Sequence, residues 1–266
     1  MEDHMLWEDL QRIRSEAPLI HNITNYVVMN TTANALLAIG ASPVMAHAVE
    51  EVEEMTGLAR ALVINIGTLS APWVKAMIKA GKEARRRKIP IVLDPVGCGA
   101  TKFRTYTAQK LMQEIRPTII RGNASEIRAL LCSSSGTKGV DSSHTSDEVF
   151  EEACELSKAA GCVVSVSGAV DIIVDGDTVA RISNGHPMMA KVTGMGCTAS
   201  AITGAFAAVN SSSFKAAASA MALMGIVGEI AVERSAGPGS FQLNFLDILF
   251  SIQKSDIDQR IKMQGV

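Results

Sequence analysis

The sequence predicts an α/β protein whose mostly parallel sheet is covered by helices on both faces. Three observations lead there. Apolar runs alternate with helix-patterned segments along most of the chain, as repeated strand–helix–strand crossovers require. Several of those runs ("ALVINIGT", "IPIVLDPV", "CVVSVSGA") are extended and apolar, as strands buried on both faces are. The apolar material is 47% of 266 residues, yet aromatics are only 4%, so Ala, Val, Ile, Leu and Met must build the core. With no internal repeat and no clean boundary, a single domain over 1–266 is the expectation.

The elements follow in order. The charged start "MEDHMLWEDLQRIRSE" reads as a helix. "SPVMAH" (42–47) reads as a strand and "AVEEVEEMTGLAR" as a helix. Then come "ALVINIGT" (61–68) as a strand, an amphipathic helix from about 71 to 88, and "IPIVLDPV" (89–96) as a strand. A helix near 105–115 leads to "TIIRGN" (118–123) and a short helix through "ASEIRALL". "CSSSGTKGVDSSHTS" (132–146) has loop composition. A further helix precedes "CVVSVSGA" (162–169), and "DIIVDG" with "TVARIS" reads as a hairpin turning at Asp175–Gly176. Beyond "GHPMMAKVTG" the rest reads as helical.

The totals exclude several functions. A formal charge of −2 gives no basis for nucleic-acid or membrane-surface binding. The one dense basic run, "KEARRRK" (82–88), suits the wet end of a helix. No secretory leader is recognisable. The apolar stretches 197–209 and 216–228 are too short to span a bilayer. The cysteines stand at 98, 132, 154, 162 and 197 with no CxxC pair, which predicts reduced thiols and a cytoplasmic location.

In open parallel sheets ligands bind beyond the carboxyl ends of the strands. The residues just past each predicted strand are His47, Gly67-Thr68, Asp94-Pro95, Arg121-Gly122-Asn123 and Ser167-Gly168. "GMGCTA" matches the dinucleotide fingerprint. It lacks the preceding strand and the acidic residue ~20 positions on, so that reading fails. "AGKEA" lacks the glycine and hydroxyl residue of a phosphate-binding loop. What survives is physical: Gly194 and Gly196 permit positive φ and close approach, and a helix starting at about Cys197 or Thr198 offers free N–H groups to an anion. Asp94 in "LDPVGCG" can hold Mg²⁺ through water or act as a turn residue. Asn123 with Glu126 fits a capping box. In the functional alternative Glu126 faces Mg²⁺ and water near phosphates.

The segments "PLIHNITNYVVMNTTANALLAIGASPVMAHA" (18–48), "LVINIGTL", "PIVLDPVGCGAT", "IRGNASEI" and "VTGMGCTASA" resemble the hydroxyethylthiazole kinases of the ribokinase-like superfamily. "HNITN" and "GASPVMA" are the specific ones. The resemblance implies a three-layer α/β/α sandwich, a homotrimer with active sites at subunit interfaces, and ATP-dependent phosphorylation of the hydroxyl of 4-methyl-5-(2-hydroxyethyl)thiazole in thiamine salvage. By residue, it implies that Met45 and Gly194 contact the thiazole alcohol and that Arg121 and Ser167 contact ATP. Asp94 and Glu126 would organise Mg²⁺ and the phosphates, beside the Gly196 turn and Asn123. Asn25 and Thr68 join the thiazole pocket.

Each residue also has a plain alternative. Met45 suits a flat sulfur heterocycle because thioether contacts are soft, but equally suits a core. Ser167 turns a chain, Asn25 fits a local turn, Thr68 fits a cap for the helix that follows it, and His21 fits a structural role. Many ribokinase-like enzymes carry Asp where this chain has Cys197. A helix N-terminus lowers a thiol pKa and nearby phosphates oppose that. Positioning of the hydroxyl with weak base action is the expectation, since loose phosphoryl transfer asks little of a base. Two other functions fit such a sheet: ATP-dependent repair of a nicotinamide nucleotide, and a nucleotide-binding subunit without catalysis. "HNITNYV" and "GASPVMAHA" disfavour the first; Asp94, Asn123, Glu126 and Cys197 disfavour the second.

Overall fold

The computed structural model describes residues 2–132 and 149–266. Nine strands form one sheet in the order β2-β1-β3-β4-β5-β6-β7-β8-β9. They are β1 (Leu19–Ile23), β2 (Ser42–Val44), β3 (Ala61–Asn65), β4 (Ile91–Asp94), β5 (Ile119–Asn123), β6 (Val163–Ser167), β7 (Asp171–Asp175), β8 (Thr178–Ile182) and β9 (Met263–Gln264). The first six in sequence pair parallel and the last three pair antiparallel. The β3–β4 register, Asn65 opposite Asp94, sets two polar residues side by side at the carboxyl edge.

The pleat divides the core. Ile20, Val63, Val92 and Ile119 face one layer: α1 (Glu2–Glu16), α2 (Met29–Ala38), α8 (Met195–Val209), α9 (Ser213–Glu233), α10 (Pro238–Ser251) and α11 (Lys254–Arg260). Leu62, Ile64, Leu93 and Ile120 face the other: α3 (Val52–Leu58), α4 (Ala71–Arg87), α5 (Lys102–Ile115), α6 (Ala124–Cys132) and α7 (Phe150–Ala160). The period of two in the strands thus yields the expected three layers.

Several boundaries differ from the sequence expectation. β1 was not foreseen: its five residues hold His21 and Asn22, both buried, and two polar residues in a row break an apolar run. "SPVMAH" is extended only over Ser42–Val44, and α3 is shorter than "AVEEVEEMTGLAR". β3 and β4 end at Asn65 and Asp94, so the residues beyond them belong to loops. α5 starts at Lys102 because the Thr101 hydroxyl accepts the Arg104 N–H at 3.2 Å. α8 begins at Met195, two residues before Cys197. The chain closes on β9 after its helical run. The loop expected at 132–146 lies outside the described residues, apart from Cys132 at the end of α6. The 216–228 stretch is part of a 21-residue helix, long and apolar enough to cross a membrane, but mostly buried inside the molecule. It is the central helix of its layer, packed on α8 and α10.

Candidate active site

Parallel pairing brings the carboxyl ends of β1, β3, β4, β5 and β6 to one edge. The N-terminus of α8 is tied to this edge. Gly194 caps it at φ +86°, a left-handed conformation that a Cβ disfavours, and an added Cβ would also lie 2.8 Å from Val28 Cγ1. The first backbone bond along the helix runs from the Thr198 N–H to the Gly194 carbonyl at 2.8 Å. The N–H groups of residues 195–197 therefore lack an intrahelical acceptor, and the helix dipole adds positive character there. Arg121 Nη1 donates to the Gly196 carbonyl at 2.9 Å. That bond pins the guanidinium beside the helix mouth, while its buried Nε has no partner.

A chain of side-chain hydrogen bonds crosses the edge. Ser200 Oγ donates to Asp94 Oδ2 at 2.7 Å, and Asn65 Nδ2 donates to the same oxygen at 2.8 Å. Asn65 Oδ1 accepts from the Gly67 N–H at 3.0 Å and from Asn25 Nδ2 at 2.8 Å. Asn25 Nδ2 also reaches Cys197 Sγ at 3.4 Å. Glu126 is held by backbone: its two oxygens accept the N–H groups of Gly97 and Asn123, each at 2.8 Å. Asn123 Oδ1 accepts the Glu126 N–H at 2.9 Å, so the capping box is real. The loops after β3 and β4 are bolted together by Arg104, which donates to the carbonyls of Ile66, Val96 and Gly67.

Burial dominates the electrostatics. Asp94 is pushed up to about 7 by desolvation; Arg121 opposes that and Glu126 adds to it. The Cys197 thiol is raised, first by burial and then by Asp94, against hydrogen bonds from Asn65 and Asn25 and the charge of Arg121. The direction is opposite to the lowering expected from the helix N-terminus, because burial and the Asp94 carboxylate disfavour the thiolate. Asp171, buried on β7, is raised to about 6 by burial, although the Gly168 N–H donates to it at 2.9 Å.

A cavity of about 600 Å³ opens on the β6 side of this edge. Arg121, Ser167, Asp171 and Gly196 line it, with Met195, Met221 and Met224 on its helical wall. Asn25, Met45, Thr68 and Cys197 do not line it. Thr68 is no helix cap: its hydroxyl accepts the Tyr26 N–H at 3.1 Å, and Ser70 precedes α4. Met45 stands in the loop after β2, beside Ala46, whose carbonyl accepts from His21 Nε2 at 2.8 Å. His21 is buried between that carbonyl and the Thr56 hydroxyl, a structural role. Ser167 Oγ donates to the Gly122 carbonyl at 3.3 Å.

Sequence reasoning missed Asn65, Ser200 and Asp171. Asn65 carried a usable signal: a polar residue closing an apolar strand. It was hidden by extending that strand to Thr68. Ser200 stands one turn after Cys197 between Thr198 and Thr203, hydroxyl residues of the same helix that are buried as well, so nothing in the sequence singled it out.

The hydroxyethylthiazole kinase family model matches residues 10–255. The chain belongs to the hydroxyethylthiazole kinase family. A hydroxyethylthiazole kinase of Syntrophus aciditrophicus is 58% identical over 258 residues, covering 97% of this chain and 96% of that protein. One from Leptospira biflexa is 56% identical, covering 98% and 99%. The solved hydroxyethylthiazole kinase of Pyrococcus horikoshii superposes with a TM-score of 0.92 at 45% identity over 99% of both chains. A Staphylococcus aureus pyridoxal kinase structure shares the fold at a TM-score of 0.59 and 18% identity, over 79% of this chain and 87% of that one. As a hydroxyethylthiazole kinase the chain is an enzyme of the kinase class with a ribokinase-like α/β/α fold, and ATP is the phosphoryl donor that class implies.

Proposed function

We propose that the chain transfers the γ-phosphoryl group of ATP to the hydroxyl of 4-methyl-5-(2-hydroxyethyl)thiazole, a salvage step toward thiamine. The observation that carries this reading is spatial. The amide-rich mouth of α8 has Arg121 and the 600 Å³ cavity on one side and the Asn25–Cys197 contact on the other. The cavity's size is ordinary for a cofactor site. ATP enters there, with Arg121 and Ser167 along its phosphates and Gly196 and Asn123 at their rim. The migrating phosphoryl group lies over the N–H groups of residues 195–197, which stabilise its charge without reorganising.

The alcohol approaches from the Asn25 side, with Met45, Thr68 and Gly194 around the thiazole ring. Cys197 holds the hydroxyl rather than ionising first, because its thiol is raised by burial. A loose transition state leaves most of the proton on the alcohol until late, so positioning suffices.

The residues present fit Mg²⁺ as an outer-shell ion. Among the described residues no group of three or more His, Cys, Asp or Glu side chains converges to cage a metal. Asp94 directs one oxygen at Asn65 and Ser200, and Glu126 has both oxygens on backbone N–H groups. Two buried carboxylates near phosphates match the water-mediated binding that Mg²⁺ prefers. When bound, the ion would neutralise part of the phosphate charge.

A homotrimer with interfacial sites is part of this reading. Its support here is that Tyr26 and Val27, beside the Asn25 contact, are each 64% exposed. One continuous sheet supports a single domain, and Cys98, Cys154, Cys162 and Cys197 are free thiols, in keeping with a cytoplasmic enzyme. A coupled assay of ADP release tests the function. Release is expected only when the thiazole alcohol is present; equal ATP turnover without it, or turnover driven by a damaged nicotinamide nucleotide instead, would sink the reading.

A further inference from the structure

The cavity has an outer wall made by the strap Asn184–Lys191, between β8 and α8, which includes a 3₁₀ turn at Pro187–Lys191. Asn184, Gly185, His186, Pro187, Met189 and Ala190 of this strap line the cavity, whereas Glu229 does not, so Glu229→Leu tests the clamp without touching the wall. Five of its eight residues are exposed; Met188 and Met189 pack part-buried against the core, and its one buried residue is the first, Asn184. Its position is set at its first residue. Asn184 is 6% exposed and uses its whole amide. Nδ2 donates to the Arg260 carbonyl at 2.7 Å and to Glu229 Oε1 at 3.2 Å; Oδ1 accepts the Lys262 N–H at 2.8 Å. Glu229 Oε1 also accepts the Gly185 N–H and Lys262 Nζ, each at 3.1 Å. Gly225 of α9 lets the strap come this close: a Cβ there would lie 2.5 Å from Asn184 Cβ.

We propose that Asn184, clamped by Glu229 and by the chain end at Arg260–Lys262, is a positioning residue for the nucleotide. It holds the 184–191 strap against α9 so that the strap and the methionines of α9 close on the base and ribose end of ATP. The proposal rests on reading this cavity as the ATP site. Its chemistry follows from the wall: Met189, Met221 and Met224 give soft apolar packing for a purine. A strap displaced by one side-chain width loses that packing on one side of the ring. The acceptor half, on the far side of α8's mouth, does not touch the clamp.

The test compares three variants of the full-length enzyme: Asn184→Ala, Glu229→Leu and Ala169→Trp. Ala169 is exposed, lines the cavity and plays no part in the clamp, so the indole blocks the cavity directly. Asn184→Ala and Glu229→Leu are each expected to raise KM for ATP about tenfold, with kcat and the thiazole KM within about twofold of the starting enzyme. The dissociation constant of ADP, by calorimetry without the alcohol, is expected to rise in parallel. Ala169→Trp is expected to raise both nucleotide constants. If only Ala169→Trp does so, the cavity is the ATP site and the clamp proposal is overturned. If none of the three does, the cavity reading fails and the proposal with it. A matched loss of kcat and a rise of both KM values in the clamp variants marks general destabilisation and also overturns it. Should Asn184→Ala not fold, Glu229→Leu, with a partly exposed side chain, decides alone.

Discussion

The two halves of the edge around α8's mouth are built differently. The β6 side is a cavity that this chain forms by itself, walled by methionines, a turn and a clamped strap. The β1 side is a line of hydrogen bonds, Asn25 to Asn65 to Asp94, with exposed Tyr26 and Val27 outside it. In the proposed function the first half would supply shape, as a slot for ATP, and the second orientation, as a way to aim the one hydroxyl of a small alcohol. The aromatic trio of Tyr26, His47 and Trp73, with centroids 4.4–6.3 Å apart, belongs to the aiming half.

Five substitutions at four positions would break or sharpen this contrast. Asp94→Asn touches both halves and carries the largest expected effect, a fall in kcat of about a thousandfold with the fold retained, measured by the coupled assay and circular dichroism. Next is Asp171→Asn, a probe of the cavity half alone. The folded carboxyl titrates near 6, above its unfolded value, so its contribution to stability is fully present below the unfolded pKa and is lost as pH rises toward about 6. Urea unfolding is expected to show the starting protein losing up to about 2–3 kcal/mol relative to Asp171→Asn between about pH 4 and 7. A flat difference would mean that the carboxyl is solvated.

The aiming half is probed by Cys197. Cys197→Ala is expected to leave a measurable turnover, reduced about ten- to thirtyfold, and Cys197→Asp to retain or raise turnover. An inactive Asp variant beside a fully active Ala variant would remove the side chain from the reaction and leave the helix mouth as the phosphate site. Met45→Ala should give the smallest change, a rise of about fivefold in the thiazole KM with the ATP KM unmoved. An equal rise in both would erase the division between the halves.

Much of this was legible beforehand. Asp94, Arg121, Ser167 and the Gly194–Cys197 turn stand at strand ends or a helix mouth, where local sequence places them. Asn65 was hidden by a boundary three residues too long. β1 was hidden because His21 and Asn22 are buried polar residues; Asn22 bonds locally to the Ile20 carbonyl, but the partners of His21, Thr56 and Ala46, are supplied only by the fold. Thr68 resembled a helix cap because it stands two residues before Ser70, yet its hydroxyl went to Tyr26, on a different loop.

The sequence by itself determined the layered α/β architecture, the glycine-shaped entry to α8 and part of the polar edge, with Asp94, Arg121, Glu126 and Ser167 but not Asn65, Ser200 or Asp171. Those depend on apolar spacing and backbone freedom, which are local. The tertiary structure decided which groups meet, which ionise and where a ligand has room. Asn25 and Cys197 are 172 residues apart in the chain, and the strap is fixed by residues 76 and 78 positions away. Hydrogen-bond partners and desolvation arise from contacts that only the packed chain contains, and no spacing along the sequence encodes them.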